Sequence, residues 1–374
     1  MKHYTMSLPT ILCKAVEGRT LDQDEITFLL SLTKEDDIGL LQRSARLVRS
    51  KHFGNKVFLY GFVYFSTYCK NECNFCQFRC SNKELVRYRK SDAEIVELAR
   101  NLGDSGVHLI DLTMGEDPTM FHPDFGLKRL TRLVQTVRSA TGLPAMLSPG
   151  AAPVAAIAEL AEAGTEWFAC YQETHSRPLF TMLRKGQSYD RRMASKLEAK
   201  KHGMLIEEGI LTGVGESIDD IAQSIIEMRA MQADQVRAMT FVPHAGTPMA
   251  SVASGDDQME QIIISVMRLV MPDVLIPASL DIDGLNGLHK RIVAGANVVT
   301  SIVPAGRGLS GVANSSLDIE ESRRSVESIR TVLQFCGMSV ATAREYRHWL
   351  DARRQGAGNP LQIGGASANC RYWS

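Results

Sequence analysis

The chain has no surplus of charge: Lys plus Arg is 42 and Asp plus Glu is 42. No broad cationic face is therefore expected for nucleic acid or an anionic bilayer. Nor is there an apolar run near the roughly 18 residues that a membrane span needs. The start, MKHYTMSLPTILCKAVEGRT, is too interrupted to read as a signal peptide. Cysteine is sparse, eight in 374 residues, which is too few for a disulfide scaffold. These absences predict a cytoplasmic protein with neither nucleic-acid nor membrane partners. What is present is core material. Hydrophobic residues make up 44% of the chain and charged residues 22%, which excludes disorder, collagen or coiled coil as the main state.

The first fifty residues read as helical. Thr20 with Gln23, and Thr33 with Asp36, have capping-box spacing. Leu40, Leu41, Ala45 and Val48 share a face, and Gly54 ends the segment. Eight apolar, β-branched runs follow, at 58–66, 107–114, 144–149, 167–172, 204–212, 235–243, 274–282 and 297–303. Helical-period stretches separate them at 92–103, 126–140, 153–163, 191–202, 217–231, 256–270 and 285–294, with another at 317–337. Eight strands alternating with helices predict an α/β fold, a (βα)8 TIM-type barrel with an N-terminal helical lead-in. A doubly wound open sheet is the alternative. The expected organisation is a helical extension over 1–54, a barrel over 55–345 and a tail over 346–374. The Gly-, Ala-, Asn- and Ser-rich composition from 354 onward predicts a loosely docked segment.

A barrel of this kind carries its active site at the C-terminal strand ends. Polar residues gather there: Asp111 and Met114-Gly115-Glu116-Asp117 on strand two, Ser148 on three, Gln172-Glu173 on four, Gly213 after five, Arg237 on six. Strand seven carries Ser279, Asp281 and Asp283 on one face. Any one of these alone reads more plainly as a cap or loop residue.

The strongest signal is thiol spacing. Cys69, Cys73, Cys76 and Cys80 lie within twelve residues, whereas Cys13, Cys170, Cys336 and Cys370 are scattered. Cys69, Cys73 and Cys76 form a C-x₃-C-x₂-C run just after strand one. Three thiolates can hold three corners of a 4Fe-4S cluster and leave the fourth iron open, whereas electron-transfer clusters use four. Tetrahedral zinc with Cys80 or a histidine as fourth ligand is the other sulfur-loving option. That would fit a non-enzymatic metal carrier.

The CKNECNFC loop at 69–76, with Phe75 in the aromatic place, resembles that of the radical S-adenosylmethionine enzymes. RSKHFGN at 49–55, YQET at 171–174 and LRKGQSYDRR at 183–192 resemble their biotin-synthase-like branch. DLTMGEDP at 111–118, SPG at 148–150, GILTGVG at 209–215, VRAMTF at 236–241, IPASLDIDG at 276–284 and AGANVVTSIVP at 294–304 extend the likeness to the lysine isomerases of pyrrolysine biosynthesis. The resemblance spans roughly residues 20–345. It implies a 4Fe-4S cluster on Cys69, Cys73 and Cys76, S-adenosylmethionine as cofactor and an external reducing electron donor. It further implies Glu173 on the ribose hydroxyls, Arg192, with its neighbour Arg191 as the alternative, on the methionyl carboxylate, and Met114, Ser148, Tyr171 and Gly213 around the same cofactor. The implied reaction turns L-lysine into (3R)-3-methyl-D-ornithine. A 5′-deoxyadenosyl radical abstracts a side-chain hydrogen, the Cα–Cβ bond fragments, and recombination rebuilds the skeleton. Arg237 would take the lysine carboxylate, and Asp111, Ser279 and Asp281 its ammonium groups. Another biotin-synthase-like enzyme with a different amino-acid-like substrate is the alternative. Arg87-Tyr88-Arg89 reads as a solvated turn, and Cys80 as a bystander.

Overall fold

The computed structural model describes residues 7–122, 124–304 and 324–356, with 359 and 361. Each of the eight apolar runs contributes a parallel strand: β1 Lys56–Ser66, β2 Leu109–Met114, β3 Ala145–Ser148, β4 Thr165–Ala169, β5 Leu205–Thr212, β6 Gln235–Thr240, β7 Pro277–Ser279 and β8 Val298–Ile302. Their order is β6-β5-β4-β3-β2-β1-β8-β7. A single bridge, Gln235 with Leu275, completes the circuit between β6 and the approach to β7. The architecture is the expected α/β TIM-type barrel, nearly closed, and not an open doubly wound sheet.

Helices α1 Leu8–Val16, α2 Gln23–Leu30 and α3 Glu35–Phe53 precede the barrel. Around it run α4 Asp92–Ser105, α5 Gly126–Thr141, α6 Val154–Glu162, α7 Arg177–Leu183, α8 Tyr189–Lys201, α9 Ile218–Ala230, α10 Asp257–Val270, α11 Leu285–Ala294, α12 Val326–Phe335 and α13 Ala343–Arg354. The lead-in is anchored, with α2 on α9 and α10 and α3 on α10 and α11. It thus braces the helices beside the weak β6–β7 seam.

Several local expectations need correction. The capping box of α2 is Asp22 with Glu25, two residues later than Thr20 with Gln23. Helix α3 is capped at Lys34 without a side-chain bond, not at Thr33; three acidic residues in its first turn favour that end through the helix dipole. Gly54 does end it, at φ 58. Strand β4 stops at Ala169, and the chain rejoins β5 at Glu173, which bridges Ile210 with φ 68. Strand β7 is only three residues long and opens on Pro277, which cannot donate to the ladder. Helix α12 begins at Val326, and residues 317–323 of its expected range lie outside the described residues.

Helices α7 and α13 and the short β9 Ser339–Val340, which pairs with β1, were not expected. Helix α13 crosses the boundary drawn at 345. It buries Tyr346, Trp349 and Leu350 against Phe58, Tyr60 and Trp167. The Tyr346 hydroxyl donates to Tyr60 at 2.9 Å. This aromatic cluster fills the N-terminal end of the barrel core beneath β1 and β4. Most of the remaining tail, 362–374, lies outside the described residues.

Candidate active site

The strand ends converge on one cavity of about 230 Å³. Of the thirteen residues expected to form the site, twelve line it: Asp111, Arg237, Ser279 and Asp281; Met114, Ser148, Tyr171, Glu173 and Arg192; Cys69, Cys73 and Cys76. Gly213 lies off the wall. It takes φ +83 and packs so close to Gly255 that a Cβ would fall 2.5 Å from its Cα. The Glu216 carboxylate accepts the Gly213 and Val214 N–H groups at 2.7 and 2.9 Å. Gly213 therefore shapes the turn that presents Leu211 to the cavity.

The cysteine loop is built as a small separate core. Cys73 and Phe75 pack with Leu179 and Leu183 of α7 and with Leu211, Val214 and Phe241. Asn74 N–H donates to Leu183 O at 2.8 Å, which explains what the unexpected α7 is for. Gly115 at the end of β2 presses on the loop's other side; a Cβ there would meet Tyr68 O at 2.4 Å and Cys69 Cβ at 2.8 Å. The segment 87–89, expected as a solvated turn, is a strap instead. The Arg87 guanidinium donates to the carbonyls of Thr67 and Phe78. Arg89 lies 3.7 Å above the Tyr68 ring and pairs with Asp117 at 2.6 Å.

Three thiols on one cavity wall form a sulfur donor set suited to iron. Burial pushes Cys69 up to about 11 and raises Cys76 further, so metal binding here would release protons. Among the described residues no three His, Cys, Asp or Glu side chains converge as a single-ion site requires. A multi-iron cluster lets its cysteines stand apart. Cys80 is exposed and off the wall.

Beside the thiols lie two buried ion pairs, Glu116 with Arg192 and Glu173 with Arg184, each at 2.6 Å. Arg191 is exposed and Arg192 buried, so Arg192 is the one that reaches the cavity. Burial works against the Glu116 charge, but Arg192 and the Ala151 N–H outweigh it and hold the carboxyl below its usual range. Burial wins at Glu173, whose carboxyl is raised despite Arg184. Arg192 of α8 and Arg184 at the end of α7 also donate to Tyr171 O at 2.9 and 3.0 Å, tying the strand-four turn to both helices.

The cavity floor carries a second charged group. Arg237 Nε donates to Glu207 Oε1 at 2.8 Å and Nη1 to Thr300 Oγ1 at 3.1 Å. Burial opposes the Arg237 charge, and Glu207 restores it. Ser148, on the wall of the same cavity, donates to Asp111 Oδ1 at 2.8 Å. Asp111 is pushed up to about 8, by burial first and Glu207 second. Three buried atoms of this group have no partner: Asp111 Oδ2, Glu207 Oε2 and Arg237 Nη2. Asp281 accepts from the Tyr64 hydroxyl at 3.0 Å and from Arg324 at 3.2 Å. Ser279 meets Ser301 at 3.2 Å, and Asp283 is drawn off to Arg291.

Sequence reading missed Glu207, Arg184, Gln187, Tyr64 and Arg324. A signal existed for the first. Adjacent Glu207 and Glu208 in an apolar strand must point to opposite faces, so one enters the barrel. Glu207 faces Arg237, and Glu208 faces Lys196 of α8.

Comparison with known proteins agrees with this geometry. Residues 63–227 match the model of the Radical SAM superfamily. The 3-methylornithine synthase of Methanosarcina acetivorans is 45% identical over 334 residues, 89% of this chain and 94% of that protein. A crystal structure of methylornithine synthase superposes with a TM-score of 0.85 at 42% identity, covering 91% of this chain and 99% of that one. The FeFe-hydrogenase maturase subunit HydE of Thermotoga maritima is 29% identical over 76% of this chain and 81% of that protein. No described helix is long and apolar enough to cross a membrane. This chain is a radical S-adenosylmethionine enzyme and belongs to the 3-methylornithine synthase family.

Proposed function

We propose that the enzyme isomerises L-lysine to (3R)-3-methyl-D-ornithine in pyrrolysine biosynthesis. The observation that carries this reading is a pair of unpartnered buried atoms on cavity-lining residues, Asp111 Oδ2 and Arg237 Nη2. An unsatisfied buried polar atom costs about 1–3 kcal/mol, so a ligand with complementary charges would relieve the site. Lysine brings a carboxylate and two ammonium groups. Glu207 and Thr300 fix two edges of the Arg237 guanidinium and leave Nη2 for the carboxylate. Asp111 offers its free oxygen to one ammonium group, and Asp281, with Ser279 beside it, stands on the same wall for the other.

Cys69, Cys73 and Cys76 would hold a 4Fe-4S cluster, and Glu173 and Arg192, with Met114 and Tyr171, would hold S-adenosylmethionine. With an electron from an external donor, this pair supplies a carbon-centred radical able to take hydrogen from an unactivated carbon. The chain's own work is positioning and enclosure. Phe62, Phe75, Leu211 and Phe241 wall the space between the two charged groups, which keeps water from reactive fragments. Opposed charges at both ends of lysine hold its carbons in one register, the condition for fragments to rejoin within the cavity.

The test is an anaerobic turnover with the reconstituted protein, reductant, S-adenosylmethionine and L-lysine. A new compound of lysine mass that disappears in Cys73→Ala is the expected result. 5′-Deoxyadenosine formed at the same rate without lysine would keep the radical chemistry and refute the substrate.

A further inference from the structure

We infer that Gln187 and Arg184 set the reduction potential of the cluster through hydrogen bonds to Cys73, an inference that rests on the cluster reading above. Gln187 Nε2 donates to Cys73 Sγ at 3.0 Å, and Arg184 Nη1 donates to the same sulfur at 3.5 Å. Among the described residues, Cys69 and Cys76 receive no such side-chain donor. The loop between α7 and α8 thus aims two N–H groups at one of three ligands.

The direction of the Gln187 amide is not free. Its Oε1 accepts from Arg192 Nη1 at 3.2 Å. Arginine has donors and no acceptor, so the amide oxygen must face Arg192 and the amide nitrogen must face the sulfur. The Arg184 guanidinium is held just as firmly, by Glu173 at 2.6 Å and Tyr171 O at 3.0 Å. Gly186, at φ +76, makes the turn that brings both side chains to the same side.

Reduction adds negative charge that is shared by the cluster and its cysteine sulfurs. Donors aimed at those sulfurs favour the more negative state, and hydrogen bonding to sulfur is one of the recognised levers on cluster potential. The site is largely buried, which strengthens each bond. Glu173 offsets the Arg184 charge, whereas Gln187 is neutral, so replacing Gln187 changes hydrogen bonding without changing charge. The same two side chains touch Glu173 and Arg192, so the potential is set by the residues that frame the cofactor site.

The experiment uses the full-length protein, reconstituted anaerobically with iron and sulfide. Its midpoint potential is read by electron paramagnetic resonance during a dye-mediated titration. Gln187→Met keeps the length and removes the N–H. It is expected to retain wild-type iron and sulfide, with the reduced-to-oxidised ratio at the wild-type midpoint falling about tenfold, or about 59 mV for one electron. Arg184→Lys, which loses the fork, shifts the same way by less. An unchanged midpoint in a variant with full iron and sulfide overturns the inference. Loss of the cluster in both variants also overturns it, because the side chains would then retain the cluster rather than tune it. A wild-type protein that forms no cluster refutes the cluster reading and this inference together, and iron and sulfide analysis tells that failure apart.

Discussion

If Asp111 receives a lysine ammonium group, lysine should bind more tightly as pH rises towards the Asp111 midpoint. Burial pushes this carboxyl up to about 8, with repulsion from Glu207 adding to the effect and Ser148, Thr113 and Arg237 opposing it. A protonated carboxyl cannot pair with an ammonium, so binding below the midpoint must first remove a proton. Each pH unit below the midpoint costs about 1.4 kcal/mol. Between pH 6 and pH 8, where half of the carboxyl is already ionised, that is about 2.3 kcal/mol, or roughly fiftyfold in Kd. The assay is calorimetric titration of L-lysine into the reconstituted protein with S-adenosylmethionine and no reductant, so that nothing turns over. Log Kd is expected to fall by about one per pH unit and level off near 8, with close to one proton released per lysine at pH 6. Asp111→Asn should bind weakly and without that slope. The same carboxyl has a stability sign. Its midpoint is higher folded than unfolded, so its burial costs nothing below about pH 4 and the cost grows until about pH 8. Asp111→Asn should therefore unfold at a higher temperature than the wild type at pH 8, and the difference should shrink towards pH 5. A wild-type Kd that is flat between pH 6 and 8, or a slope that survives in Asp111→Asn, would refute the reasoning.

Glu207→Gln should weaken lysine binding by loosening Arg237, and it should move the binding midpoint below 8 because the repulsion on Asp111 is gone; the same titration reads both. Lys196 and Glu208 form a fully buried pair, so Lys196→Met should lower stability by about 3–5 kcal/mol by stranding a buried carboxylate. Adding Glu208→Gln should recover much of the loss in thermal unfolding. Gly115→Ala would push a methyl group into Tyr68 O and Cys69 Cβ; the expected result is lower iron and sulfide after reconstitution than in the wild type.

Much of the fold is legible because the two hydrogen-bonding periods differ. Runs such as VHLIDLTM and MLIEEGILT stand out from the helical stretches between them, and Ser217 and Asp220, three residues apart, form a capping box at the start of α9. The cysteine spacing is equally local, and Phe75 within it packs against α7. Less legible were elements whose partners are distant in sequence. Helix α13 is set by Tyr346 and Trp349 meeting Phe58, Tyr60 and Trp167, about 180 or more residues upstream. The short α7 has few residues to show a period.

By itself the sequence determined the class of fold, the lead-in, the thiol triplet and the set of polar strand ends, because all of these depend on spacing along one segment. Only the tertiary structure decided how charges pair. Arg237 could have met any of several carboxylates, and it met Glu207 because β5 and β6 stand side by side with Gly209 opposite Arg237 in register. Ser148 went to Asp111 because β2 and β3 are neighbours. Arg192 could be told from Arg191 only by the rotation of α8 on the barrel. Pairing energy depends on distance and burial, and neither is written in the order of residues.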